Sequence, residues 1–121
     1  MSYFKQIFEK EERLRAVLPL FLAAQEAEER RKEELNRIAA TLKYFDDEVA
    51  RIKNPKMIFR DDNHGDYDRE LLASALKYYS EQGDEADARA TIETVIATAG
   101  AHLILAQIEY NLAKTELDRL N

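Results

Sequence analysis

LNRIAATLKYFDDEVARI, residues 35–52, repeats an apolar side chain every three or four positions: Leu35, Ile38, Leu42, Phe45, Val49 and Ile52. Alternating steps of three and four place all six on one side of an α-helix, the pattern of a helix that packs along another helix. This stretch sets the fold class, because the same phase extends backwards without a break. Tyr3, Ile7, Lys10, Leu14, Val17, Phe21, Ala24, Glu28 and Arg31 continue the line towards the start of the chain. The spacing therefore predicts helix over almost all of the first 53 residues.

Two features modulate that line. Residues 25–34 read QEAEERRKEE and are polar almost all round. Such a stretch is solvated and supported by i,i+4 ion pairs, here Glu26–Arg30, Glu28–Lys32 and Glu33–Arg37, each contributing roughly 0.2–0.5 kcal/mol. Pro19 removes one helical hydrogen bond and crowds the preceding turn. It leaves two arrangements open: a kinked helix, or one helix over about residues 2–18 and a second over 19–53 with Pro19 in its first turn. The unbroken phase favours the kink.

Asn54-Pro55 ends the first helical region, and residues 54–65 read as a loop. Its apolar triplet Met57-Ile58-Phe59 is expected to tack the loop onto a helix pair. Gly65-Asp66 and Gly83-Asp84 then place an Asp at two expected N-caps, where a carboxylate accepts from free backbone amides. A short helix is expected over residues 66–82, with Leu71, Leu72, Ala75, Leu76 and Tyr79 on its apolar face and Gly83 in the left-handed position that ends it. A last helix over residues 85–120 carries the line Ile92, Ile96, Ala99, Leu103, Ala106, Tyr110, Ala113, Leu117 and Leu120. Ala99, Ala106 and Ala113 occupy successive copies of one heptad position, and such small side chains let a partner helix approach closely. At 1.5 Å per residue this helix is about 55 Å long, against a radius of gyration of about 13–14 Å for a compact domain of this size. The expectation is one all-α domain over residues 1–121: an elongated helical hairpin or bundle with antiparallel, coiled-coil-like packing.

Composition narrows the function. In 121 residues there are 18 basic and 24 acidic side chains, three Gly, two Pro and no Cys. So few turn residues argue against a many-hairpin β fold, and the lack of Cys removes disulfides, thiolate metal sites and a Cys nucleophile. The net charge of -6 argues against nonspecific nucleic-acid binding. Residues 1–53 are neutral, and nine acids fall between Asp61 and Asp87. Helix-dipole complementation accounts for acids at helix starts; the alternative is an acidic region that docks on a basic partner. No signal peptide is expected. The apolar run Ala16–Ala24 is far short of the ~20 residues a membrane span needs, so no span and a cytoplasmic location, or a place in an assembled particle, are expected.

Catalytic and ligand motifs are sparse. The loop Asp61-Asp62-Asn63-His64-Gly65-Asp66-Tyr67-Asp68 invites a calcium reading, but an EF-hand loop needs Gly at position 6 and Glu at 12. With Gly65 at position 6, position 12 is Leu71; with Asp61 at position 1, it is Leu72. A di-iron bundle needs Glu-x-x-His motifs, and Ala99 stands three residues before His102. No nucleophile elbow or phosphate-binding Gly loop is present. No cofactor, no metal site, no small-molecule substrate and no enzymatic activity are expected.

Gly83-Asp84-Glu85-Ala86-Asp87-Ala88, after Lys77-Tyr78-Tyr79, resembles the turn between the helices of a tetratricopeptide repeat. The resemblance covers roughly 20 residues, has no second copy 34 residues away, and implies a helix-turn-helix alone. Residues 102–120, with Ala106-Gln107, Tyr110 and Leu117, resemble the last helix of outer-membrane efflux ducts. That family has β-strands and a signal peptide, and neither is expected here.

A long helix with a continuous apolar line must cover it. The expected function is thus a non-enzymatic structural or assembly protein, a homo-oligomer or part of a larger protein assembly such as a phage particle or bacterial complex. The alternative is a small helical adaptor or chaperone that holds a basic partner through residues 61–87. The candidate contact residues are Tyr3, Phe4, Ile7 and Phe8 in an aromatic-rich patch, with Ala99, Leu103, Ala106, Tyr110, Ala113 and Leu117 on the last helix.

Overall fold

The computed structural model describes residues 3–56 and 65–120. Among the described residues the chain is all-α, with three helices and no strand: α1 (Tyr3–Lys53), α2 (Arg69–Gln82) and α3 (Glu85–Leu120). Helix α1 packs against α3 as in a helical hairpin or bundle. The Met57-Ile58-Phe59 triplet and the loop residues 61–64 lie outside the described residues.

Pro19 stands inside one continuous helix, so the division at 18/19 does not occur. A mid-helix proline costs about 3 kcal/mol, yet the apolar phase is unchanged across it. Leu14, Val17, Phe21 and Ala24 are all drawn to half-burial on the same side. Continuity keeps those four contacts together, and a break at Pro19 would rotate them apart.

Contacts within the chain group into two units, residues 1–32 with 102–121, and residues 33–101. In the second unit the later part of α1, α2 and the first half of α3 enclose a core of Ile38, Phe45, Val49, Leu72, Ala75, Ala88, Ile92 and Ala99. Phe45 and Ile92 are 0% exposed. The ring of Tyr79 meets Phe45 edge-on, with centroids 6.5 Å apart. Asp46 takes a forked hydrogen bond from Arg89 at 3.0 and 3.2 Å, linking α1 to α3, and Arg89 also donates to Glu93 at 2.8 Å. The hydrogen bond to Asp46 raises the Arg89 guanidinium further above its ordinary pKa. Lys53 is likewise raised by its hydrogen bond to Glu85. All these groups are well exposed, so solvent screens each pair and it adds little to stability.

The start of α2 differs from expectation. The helix begins at Arg69 and its N-cap is Asp68, whose carboxylate accepts from the Leu71 amide at 3.0 Å. Asp66 is exposed and lies before the helix. The selection is made by contacts with α1. Tyr67 stacks on Tyr44 with centroids 4.1 Å apart, and the Asp68 amide donates to the Thr41 hydroxyl at 2.8 Å. These hold Asp68 extended against α1, so the N-cap falls two residues later than expected. Thr41, 0% exposed, donates its own hydroxyl hydrogen bond to the Arg37 carbonyl at 2.8 Å.

Gly83 ends α2 in the left-handed region, φ 71°, its amide donating to the Tyr79 carbonyl at 2.7 Å. Asp84 caps α3 through the Asp87 amide at 3.1 Å. Together these form the helix-turn-helix of α2 and α3. A Cβ on Gly83 would meet nothing within 4 Å, so the cost of Gly83→Ala is conformational alone. It should reach about 1–2 kcal/mol in urea denaturation, and Gly83→Asn should cost less.

Candidate interaction surfaces

In the first unit two helices meet along one line. Phe21 of α1 and Tyr110 of α3 place their rings 5.4 Å apart. Around them Leu14, Val17 and Ala24 on α1 face Leu103, Ala113 and Leu117 on α3, all half-buried. Among the described residues of this unit only Ala106 and Leu120 are buried. The Glu28 carboxylate accepts from Lys32 at 2.9 Å and raises its pKa above the ordinary value, with Tyr110 a smaller contributor. The charged stretch of α1 therefore runs beside the middle of this part of α3.

The expected contact residues separate into three groups. Ala99 is buried in the three-helix core of the second unit. Leu103, Ala106, Tyr110, Ala113 and Leu117 form the line that α1 already covers. Tyr3, Phe4, Ile7 and Phe8 remain exposed, Phe4 at 79%. Leu120 and Arg119 share a shallow depression with Gln6, Glu9, Lys10 and Arg13, so α3 runs out there and leaves the first aromatic turns of α1 uncovered. At the other end of α1, Ile52 is 58% exposed although it continues the apolar phase, because the core stops at Val49.

Further apolar side chains are exposed outside the heptad line. Ile104, Leu105, Ile108 and Leu112 are all at least half exposed, as are Leu18, Leu20 and Leu22 on α1 apart from a 45% value at Leu18. Three of the four α3 residues, Ile104, Leu105 and Ile108, belong to a stretch, Thr94 to Ile108, without a single Asp, Glu, Lys or Arg. By length and composition alone α3 could cross a bilayer. Following one apolar line per helix hides this second line; the 15-residue gap between charges, Glu93 to Glu109, is the signal that reveals it.

Charge also separates by unit. Residues 1–32 and 102–121 hold nine basic and nine acidic side chains, so the entire net charge of -6 belongs to residues 33–101. Some of those acids are engaged: Asp68 and Asp84 as caps, Asp46 and Glu85 in ion pairs. Asp66, Glu70, Glu81 and Asp87 are exposed. Between α2 and α3 a small groove of about 400 Å³ is lined by Leu71, Ser74, Ala75, Tyr78, Asp87 and Thr91. Among the described residues no group of three His, Cys, Asp or Glu side chains converges as for a metal ion, and His102 is exposed. Residues 61–64 of the Asp61–Asp68 calcium reading fall outside the described residues.

No protein-family model, curated protein or solved structure matches the chain.

Proposed function

We propose that the protein is a non-enzymatic structural or assembly component that self-associates through its long helices in coiled-coil-like packing. The observation that carries this reading is the apolar surface of the first unit. Two helices alone cannot bury it, and isolated exposed apolar patches of this kind mark contact sites. The unit's charge balance supports the same reading, since two neutral surfaces meet without the repulsion that a net charge of -6 spread over the chain would bring. The acidic second unit keeps the assembly soluble.

The test is absolute mass by light scattering at low and high salt. A salt-insensitive oligomer is expected, because apolar contacts are not screened. Removing residues 1–8, with Tyr3, Phe4, Ile7 and Phe8, should lower that mass; an unchanged mass would remove the aromatic patch from the assembly.

A second reading is favoured by the charge of residues 33–101: an adaptor that holds a basic partner by its acidic surface. It requires a monomer that binds polylysine at low salt and releases it at high salt.

A further inference from the structure

The groove between α2 and α3 lies wholly within the second unit. Its floor is Ala75, 2% exposed, with Leu71 and Tyr78 one turn to either side of it on α2. Ser74, Asp87 and Thr91 complete the lining. Ser74, Ala75 and Thr91 are small, and larger side chains at those places would close the space. At about 400 Å³ the groove matches the lower end of ligand clefts, about 300–1,000 Å³. It takes one or two side chains of a partner rather than the face of a folded domain.

We propose that this groove holds a basic peptide segment, with an aliphatic side chain over Ala75, between Leu71 and Tyr78, and a lysine or arginine against Asp87. The proposal rests on the adaptor reading and gives it a site. Charge complementarity selects the occupant. Residues 66–87, which include all of α2 and the start of α3, hold seven acids against Arg69 and Lys77. Asp87 lines the groove itself. Along α2 the residues Glu70, Ser74, Lys77 and Glu81, spaced four, three and four, form one stripe through the groove wall at Ser74. That stripe carries two acids to one base. A second copy offers only the same acids or the neutral first unit, and neither complements this charge.

The polar atoms of the groove suit a cation. The Thr91 hydroxyl already donates to the Ala88 carbonyl at 2.7 Å, so what it offers a partner is acceptor capacity. The Asp87 carboxylate, when ionised, is acceptor-only. It is not occupied in capping α3, because that cap is the Asp84 carboxylate on the Asp87 amide. Lys and Arg side chains only donate, so they match both groups. Tyr78, 41% exposed, adds a ring against which a cation or its aliphatic stem packs. The floor of Leu71 and Ala75 is what a purely ionic site lacks, and it calls for an apolar side chain beside the charge.

Fluorescence anisotropy of the full chain at low salt tests the site with two labelled peptides of equal length and charge. One alternates leucine pairs with lysine pairs, and the other alternates serine pairs with lysine pairs. The wild-type chain should bind the leucine peptide roughly tenfold more tightly. Ser74→Phe fills the groove and Asp87→Lys reverses its charge. Each should weaken that binding by about fivefold or more, with helix content unchanged by circular dichroism. Glu33→Lys makes the same charge change at an exposed position on α1 and should weaken it by less than about twofold. Equal affinity for both peptides, equal losses in Glu33→Lys and Asp87→Lys, or a leucine-peptide affinity that neither groove variant moves overturns the groove and leaves the acidic adaptor standing. Binding of neither peptide overturns both. A lower solution mass in Ser74→Phe than in wild type assigns the groove to a second copy instead.

Discussion

Phe45→Ala should lower the stability of the three-helix unit by about 3–5 kcal/mol, read as a shift in the urea midpoint of the helical signal. Phe45 is 0% exposed and among the largest fully buried side chains. It stands where all three helices converge, with Tyr79 of α2 edge-on against its ring and Ile92 of α3 in the same core. Removing the ring loses its transfer free energy and leaves a cavity that the surrounding packed helices close only in part. Small domains are stable by only about 5–15 kcal/mol, so the loss is a large part of the total. Ile52→Ala is the matched control: it stands on the same apolar line but is more than half exposed, and should change stability by no more than about 0.5 kcal/mol. If the two substitutions had equal effects, the core would not be where the structure places it.

The contrast between Phe45 and Ile52 shows what local pattern can convey. The apolar phase is a property of a single helix, and it identified Ile38, Phe45, Val49, Ile92 and Ala99 because each helix presents one face to its neighbours. Gly83 was legible for the same reason, since the left-handed turn after α2 is a local conformational demand. Where the neighbour ends is not local. Ile52 and Tyr3 continue the phase past the point where another helix covers it, and their exposure depends on where the core stops and where α3 runs out.

Other outcomes share that cause. Pro19 leaves a kink and a break open by local rules; the unbroken apolar phase favours the kink, and the helix is continuous with Leu14, Val17, Phe21 and Ala24 half-buried on one side. Asp66 and Asp68 are equal as capping residues in sequence; the Tyr44–Tyr67 stack selects between them from more than twenty residues away. The outer line of α3 is hidden in the sequence for a different reason. A helix with apolar side chains on two sides has no single face, and following one periodic line assigns the other to the background. The candidate contact surface therefore emerged from exposure, after α1 had accounted for Leu103, Ala106 and Tyr110.

Thr41 is the residue least legible in the sequence and the one whose replacement tests the fold most selectively. It is polar, lies beside the apolar line rather than on it, and yet is 0% exposed. Its hydroxyl accepts from the Asp68 amide at 2.8 Å while donating to the Arg37 carbonyl at 2.8 Å. Thr41→Val keeps the shape and removes the acceptor. The Arg37 carbonyl keeps its helical partner, so the one group left orphaned is the Asp68 amide, at the residue that caps α2. A buried donor without a partner costs about 1–3 kcal/mol; Asp68 is half-buried and water can reach part of it, which places the expected loss at about 1–2 kcal/mol. Thr41→Ser keeps the hydroxyl and loses a methyl group, about 0.8 kcal/mol, so Ser should be the milder change although it is the smaller side chain. Hydrogen exchange separates a lost hydrogen bond from a general loosening: the Asp68 and Leu71 amides should lose protection in Thr41→Val, while the Ile92 amide, deep in α3, changes only with global stability. A Val variant as stable as wild type, with the Asp68 amide still protected, would mean that the start of α2 is held by the tyrosine stack alone.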